Sequence, residues 1–367
     1  MSLDFSYKFY RTTIDAMQGM QEAILGARQS IYWEIYSLID DRIGKPFVDA
    51  LCEKAKVGLE IKIIIDAVGS FEMSQPGLNR LRAAGVDIVF YNSLSPRKSF
   101  RSWIKSIWQR NHRKVLVIDK EIIFIGGVNI AAISCDWDDL HVRITGMEVS
   151  PLLRGFARSY VRGGGDKNKV RHLLNLRFRN KLIELKDRFK YVLQSPLGNG
   201  FSRSKKIFYK TLSKAKYNFN LLTPYFVPDK KFFYLVSLAK KRGVKIDLFL
   251  PLRPDHIFLD WVAGFYSKMA HVHGINVYFS TKMNHGKAMT CDGEIGFVGS
   301  TNFTQRSFFS NEESGIIFHD TGMVKEMDDM FADLRVNALV MNGHNYLHVG
   351  INGKIKDWFG KRFGDWI

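Results

Sequence analysis

The sequence predicts an α/β protein of two homologous α/β/α lobes packed with one active site between them. Three observations carry that expectation. Strand-like and helix-like stretches alternate along the 367 residues, the pattern of a layered α/β domain. Their order then repeats: KAKVGLEIKIIID (54–66) aligns with KKRGVKIDLFLP (240–251), and AAGVDIVFY (83–91) with HVHGINVYF (271–279). Each half also closes on the same polar cluster. His112, Lys114 and Asp119 are followed by Gly126, Gly127 and Asn129; His285, Lys287 and Asp292 are followed by Gly299, Ser300 and Asn302. A lone His-x-Lys means little, but the full spacing twice in one chain indicates a duplication and a site that needs both copies.

Taken in order, residues 15–30 carry apolar residues at helical spacing and IYWEIYSL reads as a strand. A helix over 45–56 ends at Gly58, EIKIIID (60–66) is a buried strand, 75–85 is helical and VDIVFY (86–91) is a strand. KVLVID and IIFIGG then form a β-hairpin on a short Lys-Glu turn. His112 and Lys114, two apart on a strand, are expected to face one phosphate together. The second half repeats this with a helix over 205–217, strand FNLLTPYF, a helix over 229–241, strand VKIDLFL, a helix over 257–273, strand INVYFS and the second hairpin. Residues 155–205 read as irregular, with GGGDKNK (163–169) a flexible, charged break. The expected organisation is a first lobe over 1–154, a basic insert over 155–204, a second lobe over 205–335 and a basic amphipathic tail over 336–367.

Lys and Arg number 54 against 36 Asp and Glu, a net charge of +18. Such a field attracts polyanions: an anionic membrane surface or nucleic acid. Cys52, Cys135 and Cys291 show no metal-ligand or disulfide spacing, so neither a zinc site nor a cofactor is expected, and a reducing compartment is. The N-terminus has no apolar signal-peptide core, and no run of about 18 apolar residues exists to span a bilayer.

Paired His, Lys and Asn without metal ligands suit displacement at phosphorus. Lys114, Lys287, Asn129 and Asn302 are placed to bind non-bridging oxygens and stabilise charge in the transition state. One neutral imidazole attacks phosphorus while the other, protonated, protonates the leaving alcohol; the roles then reverse as the acceptor attacks. Each histidine needs a carboxylate to fix its tautomer. Asp139 follows His112 by 27 residues (139 − 112) and Glu313 follows His285 by 28 (313 − 285). Asp119 and Asp292, before tight turns, are read as structural. Tyr36 and Tyr225 end equivalent strands, with pocket lining and core packing both open. His141, His271 and His273 lack the motif spacing.

Two segments combine basic and aromatic residues. RKSFRSWIKSIWQR (97–110) places Phe100, Trp103, Ile104, Ile107 and Trp108 at helical spacing, with Arg97, Lys98, Arg101, Lys105 and Arg110 on the remaining positions. That is the build of an interfacial membrane helix, or of a helix packed on its lobe. The C-terminus gathers Ile355, Trp358, Phe359, Phe363, Trp366 and Ile367 on one face, interrupted by Gly360 and Gly364.

The doubled H-x-K-x4-D pattern resembles the signature of the phospholipase D superfamily, over about residues 10 to 335. IYWEIYSLIDDRIGKPFVDAL, the IIIDAVGS run, RNHRKVLVIDKEIIFIGGVNI, WDDLHV and the TPYFVPD run look like bacterial cardiolipin synthases of the short form without an N-terminal membrane hairpin. The resemblance implies the phospholipase D fold and a single chain sufficient for one active site. It implies His112 as nucleophile, His285 as general acid and base, and Asp139 and Glu313 as the acidic partners. Phosphatidyl transfer to phosphatidylglycerol through a phosphohistidine, at the cytoplasmic face of the cell membrane, is the activity it suggests, with anionic phospholipids as substrates and surface. Thr304 departs from the family, which usually has Asp there. Open rivals are a phospholipase D hydrolase or other phosphatidyltransferase, a nuclease of the same superfamily, and a non-catalytic membrane-binding protein. Aromatics at helical spacing among basic residues favour lipid over nucleic acid.

Overall fold

The computed structural model describes residues 5–93, 108–177, 188–196, 202–255 and 257–341. The first sheet has seven strands: β1 (Ser6–Thr12), β2 (Ser30–Ile35), β3 (Glu60–Asp66), β4 (Asp87–Tyr91), β5 (Val115–Ile118), β6 (Ile122–Gly126) and β7 (Asp138–Thr145). Their spatial order is β1-β7-β6-β5-β2-β3-β4. The second sheet comprises β8 (Phe189–Gln194), β9 (Asn218–Leu222), β10 (Lys245–Pro251), β11 (Asn276–Ser280), β12 (Ala288–Cys291), β13 (Ile295–Gly299), β14 (Glu313–Phe318) and β15 (Leu339–Val340). Its order, β15-β11-β10-β9-β12-β13-β14-β8, repeats the first with one added edge strand. In each lobe three parallel strands joined by helices meet an antiparallel group that contains the motif hairpin.

The hairpin strands show why the lobes pack in layers. Every residue of β5 is buried. Val115 and Val117 face the core between the two sheets, while Leu116 and Ile118 face the outer core of their own lobe. A strand covered on both faces needs a continuous apolar run. The shared core also takes Leu152, Leu153 and Phe156 of helix Ser150–Arg162, with Met323, Met327 and Phe331 of helix Thr321–Asn337. Lobe–lobe contact is therefore a hydrophobic interior rather than a surface patch.

The stretch expected to be irregular differs. Helix Ser150–Arg162 runs through the boundary expected at 154/155. The GGGDKNK segment closes that helix and enters a short 3-10 turn, Lys167–Val170, capped by Asp166. Gly165 lies so close to the Tyr160 ring that a Cβ would sit 2.2 Å from it. β8 pairs with β14 as β1 pairs with β7, so it is the first strand of the second lobe rather than part of an insert. Both edge strands escape the sequence pattern because each takes its stability from one ladder and mixes charged with aromatic residues. Among the described residues no helix is long and apolar enough to cross a membrane.

Candidate active site

Both hairpins turn through left-handed backbone. Asp119 and Lys120 have φ of 53° and 56°, and Asp292 and Gly293 have 56° and 69°, the left-handed pair of a type I′ turn, within three-residue loops that set Ile118 opposite Ile122 and Cys291 opposite Ile295. Asp tolerates it, and each carboxylate is used locally. Asp119 accepts from the backbone N–H groups of Arg28, Gln29 and Ser30 at 2.7–2.9 Å. Asp292 accepts from Lys216, Tyr217 and Asn218 at 2.8 Å. Each thus fastens its hairpin to the start of the neighbouring strand.

The strand expected to carry His112 and Lys114 begins only at Val115. Both residues lie in an extended lead-in, because this segment pairs with the other lobe instead of continuing its own ladder. The His112 N–H donates to the Glu312 carbonyl at 2.9 Å, and the Glu312 N–H to the Arg110 carbonyl at 2.9 Å. Symmetrically, the His285 N–H donates to the Asp138 carbonyl at 2.7 Å and the Asp138 N–H to Met283 at 2.9 Å.

This exchange crosses the carboxylates. His112 Nδ1 meets Glu313 Oε2 at 3.1 Å, and His285 Nδ1 meets Asp139 Oδ2 at 2.8 Å. Each dyad joins a histidine of one lobe to an acid of the other, with Nε2 left for chemistry. The histidines are nearly enclosed, at 9% and 5% exposure. The lobes support their acids differently: Gly127 leaves room for Asp139, whose carboxylate would sit 2.1 Å from a Cβ there, whereas Ser300 donates its hydroxyl to Glu313.

Electrostatics bind the two motifs into one site. Burial and the cations Lys114 and Lys287 hold His112 well below the usual imidazole range. His285 is lowered too, by burial and Lys287, with Asp139 opposing. Burial pushes Glu313 up to about 7. It acts on Asp139 as well, but the charge and hydrogen bond of His285 outweigh it and keep that carboxyl below its usual value. Burial with repulsion from Lys287 brings Lys114 down to about 7, and burial brings Lys287 to about 8. Two desolvated ammonium groups of depressed pKa are poised for an anion.

Lys114 Nζ donates to the His112 carbonyl at 3.0 Å, and Lys287 Nζ to that of His285. Asn129 and Asn302 follow the hairpins, and the Oδ1 atom of each is buried without a hydrogen-bond partner. Tyr36 and Tyr225 pack beside the motif histidines: the Tyr36 ring is 5.1 Å from His112 and 5.0 Å from Lys114 Nζ, and Tyr225 is 6.4 Å from His285. His141 is buried and accepts from the Val128 N–H at 3.3 Å, and His273 stacks on Phe233. Thr304, where the resemblance led to an expectation of Asp, caps helix Gln305–Phe309. Among the described residues no cluster of three or more His, Cys, Asp or Glu is arranged to hold a metal.

Arg110 is a correction. Expected on a solvated polar face, it is buried and paired with Asp66 at 2.6 Å. Of the surface-binding candidates, Trp108 is described: it is 37% exposed, with the Arg306 guanidinium over its ring at 5.7 Å. Arg101, Trp103, Lys105, Trp358 and Phe359 lie outside the described residues. The sequence reading also missed a buried ionic network under the first motif. Arg113 reaches Glu34 at 3.5 Å and Glu312 at 3.2 Å, and Glu312 also pairs with Arg162. Its signal was the contrast between RNHRK and MNHGK: Arg110 and Arg113 stand where the second motif has Met283 and Gly286.

A duplicated α/β fold whose two His-x-Lys motifs meet face to face, each imidazole steadied from across the interface, defines a phospholipase D-type protein. Residues 20–155 and 208–335 match the family described as "Cardiolipin synthase, PLD-like domain", and the chain belongs to that family. It is 31% identical over 335 residues to a cardiolipin synthase of Clostridium perfringens (strain SM101), covering 87% of this chain and 68% of the relative. A cardiolipin synthase 1 of Staphylococcus epidermidis is 30% identical over 325 residues, covering 84% and 64%. In fold, the chain is similar to the crystal structure of a phosphatidylserine synthase from Haemophilus influenzae, with TM-score 0.74, 13% identity and 98% and 94% of the two chains covered.

Proposed function

We propose that the chain is a cardiolipin synthase-type phosphatidyltransferase that moves a phosphatidyl group onto phosphatidylglycerol at a membrane surface. The observation that carries the mechanism is the crossed pair of His–carboxylate contacts. With Nδ1–H turned toward Glu313, the neutral His112 presents an Nε2 lone pair to phosphorus. The P–N bond forms as the P–O bond to the donor's headgroup breaks. His285, beside an acid that stays ionised, is the better proton carrier and gives its Nε2 proton to the leaving oxygen. The charged form of Glu313 stabilises the cationic phosphoimidazole. Lys114 and Lys287 offset charge on the non-bridging oxygens. A hydroxyl of phosphatidylglycerol then loses its proton to His285, attacks phosphorus and frees His112, giving cardiolipin and an alcohol.

Purified protein with phosphatidylglycerol vesicles, with and without phosphatidylethanolamine, tests this by mass spectrometry of the lipids. Cardiolipin plus a small alcohol, absent with His112→Ala, is expected. Phosphatidic acid alone would make water the acceptor and replace the transferase reading with hydrolysis. No lipid turnover would sink both, and DNA and RNA would be assayed next.

A further inference from the structure

Away from the motifs, helix Ser150–Arg162, the edge strand β8 and the start of helix Arg203–Lys214 border an open cavity of about 430 Å³. Arg113, Arg154, Arg158, Arg162 and Arg203 line it, and no carboxylate does among the described residues. Three of these arginines sit four apart on one helix, so they share a face. Like charges at that spacing destabilise a helix unless something offsets them. Arg113 and Arg162 are offset by Glu312. Among the described residues, Arg154 donates to the neutral acceptors Ser150 Oγ and the Leu176 carbonyl, and Arg203 to the Leu193 carbonyl. Arg158 is exposed on the same wall. The wall also contains Tyr191, whose hydroxyl is buried without a hydrogen-bond partner. Buried hydroxyls are normally satisfied.

We infer that this cavity is a second anion site, taking a phosphate-bearing group such as a phosphate monoester or a glycerophosphate headgroup. Planar guanidinium forks match phosphate oxygens two at a time, and Tyr191 supplies a further donor. The volume lies in the range of ordinary small-ligand sites. Arg113 belongs to both places: its Nε donates to the Glu313 carbonyl at 3.2 Å while its guanidinium lines the cavity. An anion bound here is therefore felt at the residue that steadies His112. The inference stands apart from the catalytic reading, since a chain without transferase activity can still bind phosphate here.

Calorimetric titration of the full chain with inorganic phosphate, and separately with glycerol 3-phosphate, tests it. Three proteins are compared: wild type, Arg158→Gln/Arg203→Gln, and Lys114→Met/Lys287→Met. Two phosphates are expected on wild type, one in the cavity and one between the motifs. The arginine variant should lose the cavity event, at least about tenfold in affinity, because a charged hydrogen bond lost on each side approaches that scale. The lysine variant should lose the other. An arginine variant that titrates like wild type overturns the proposal. Melting without ligand checks folding, and Arg154→Gln alone repeats the test if the double variant is unstable. Flotation with phosphatidylcholine vesicles, with and without phosphatidic acid, separates the sources. Vesicle binding lost with the arginines points to a lipid headgroup, and vesicle binding retained while phosphate binding falls points to a soluble phosphate.

Discussion

His112 of the first lobe is held by Glu313 of the second, at 3.1 Å and across 201 positions of chain. His285 is held by Asp139 in return, at 2.8 Å across 146 positions. A substitution in one lobe should therefore disable the histidine of the other. Asp139→Asn is expected to slow turnover by about 10²-fold or more, the scale of a lost general acid. Its damage should fall on the proton-transfer step of His285. An activated leaving group, which needs no proton, should recover much of the first step in Asp139→Asn and little in Glu313→Gln.

The roles of the two histidines separate by trapping. With His285→Asn and a p-nitrophenyl phosphodiester, the first step should proceed and the second stall. We expect a phosphorylated peptide containing His112. Phosphate found on a His285 peptide from wild type would reverse the assignment.

The buried groups of the site make opposing contributions to stability as pH changes. Glu313 rises from 4.5 to about 7 on folding. Between those values the folded chain holds a proton that the unfolded chain has lost, so the Glu313 contribution falls as pH rises. His112 and His285, both lowered on folding, contribute in the opposite sense below pH 6.5. Lys114 drops from 10.5 to about 7 and Lys287 from 10.5 to about 8. Above pH 7 the unfolded chain holds the extra protons, so the contribution of these two lysines rises toward pH 10.5. Relative to wild type, denaturant midpoints should rise more steeply between pH 4.5 and 7 in Glu313→Gln and lose much of the rise above pH 7 in Lys114→Met.

The first hairpin has a removable strain. Lys120 has φ of 56°, where the second hairpin has Gly293 at 69°. Lys120→Gly should stabilise the fold by about 0.5–1 kcal/mol, the left-handed penalty less the entropy of glycine. Urea midpoints measure it, and Gly293→Lys should shift them the opposite way.

Much of this was legible in the residues themselves. Strands such as EIKIIID and VKIDLFL are mostly buried and read as largely apolar runs despite Lys62 and Asp247, and the hairpins are marked by their turn residues. Equal spacing found Asp139 and Glu313 because the two lobes are copies. Spacing says nothing of partner choice, and the crossing depends on how the lobes dock. Arg110 misled for a related reason: local periodicity placed it on an outer face, and only tertiary packing brings Asp66 beneath it. The ionic network around Arg113 and Glu312 was hidden in the same way, its members scattered from Glu34 to Glu312 and joined only by the fold.

The exchange of carboxylates also sets a clock on the enzyme. During synthesis the first motif emerges with its hairpin long before Glu313 exists, and contacts of such sequence separation form late. A half-made chain has an imidazole and a lysine but nothing to orient the ring. Refolding should therefore restore helix and strand signals before it restores turnover, and a ribosome-bound first lobe should leave nearby lipid untouched.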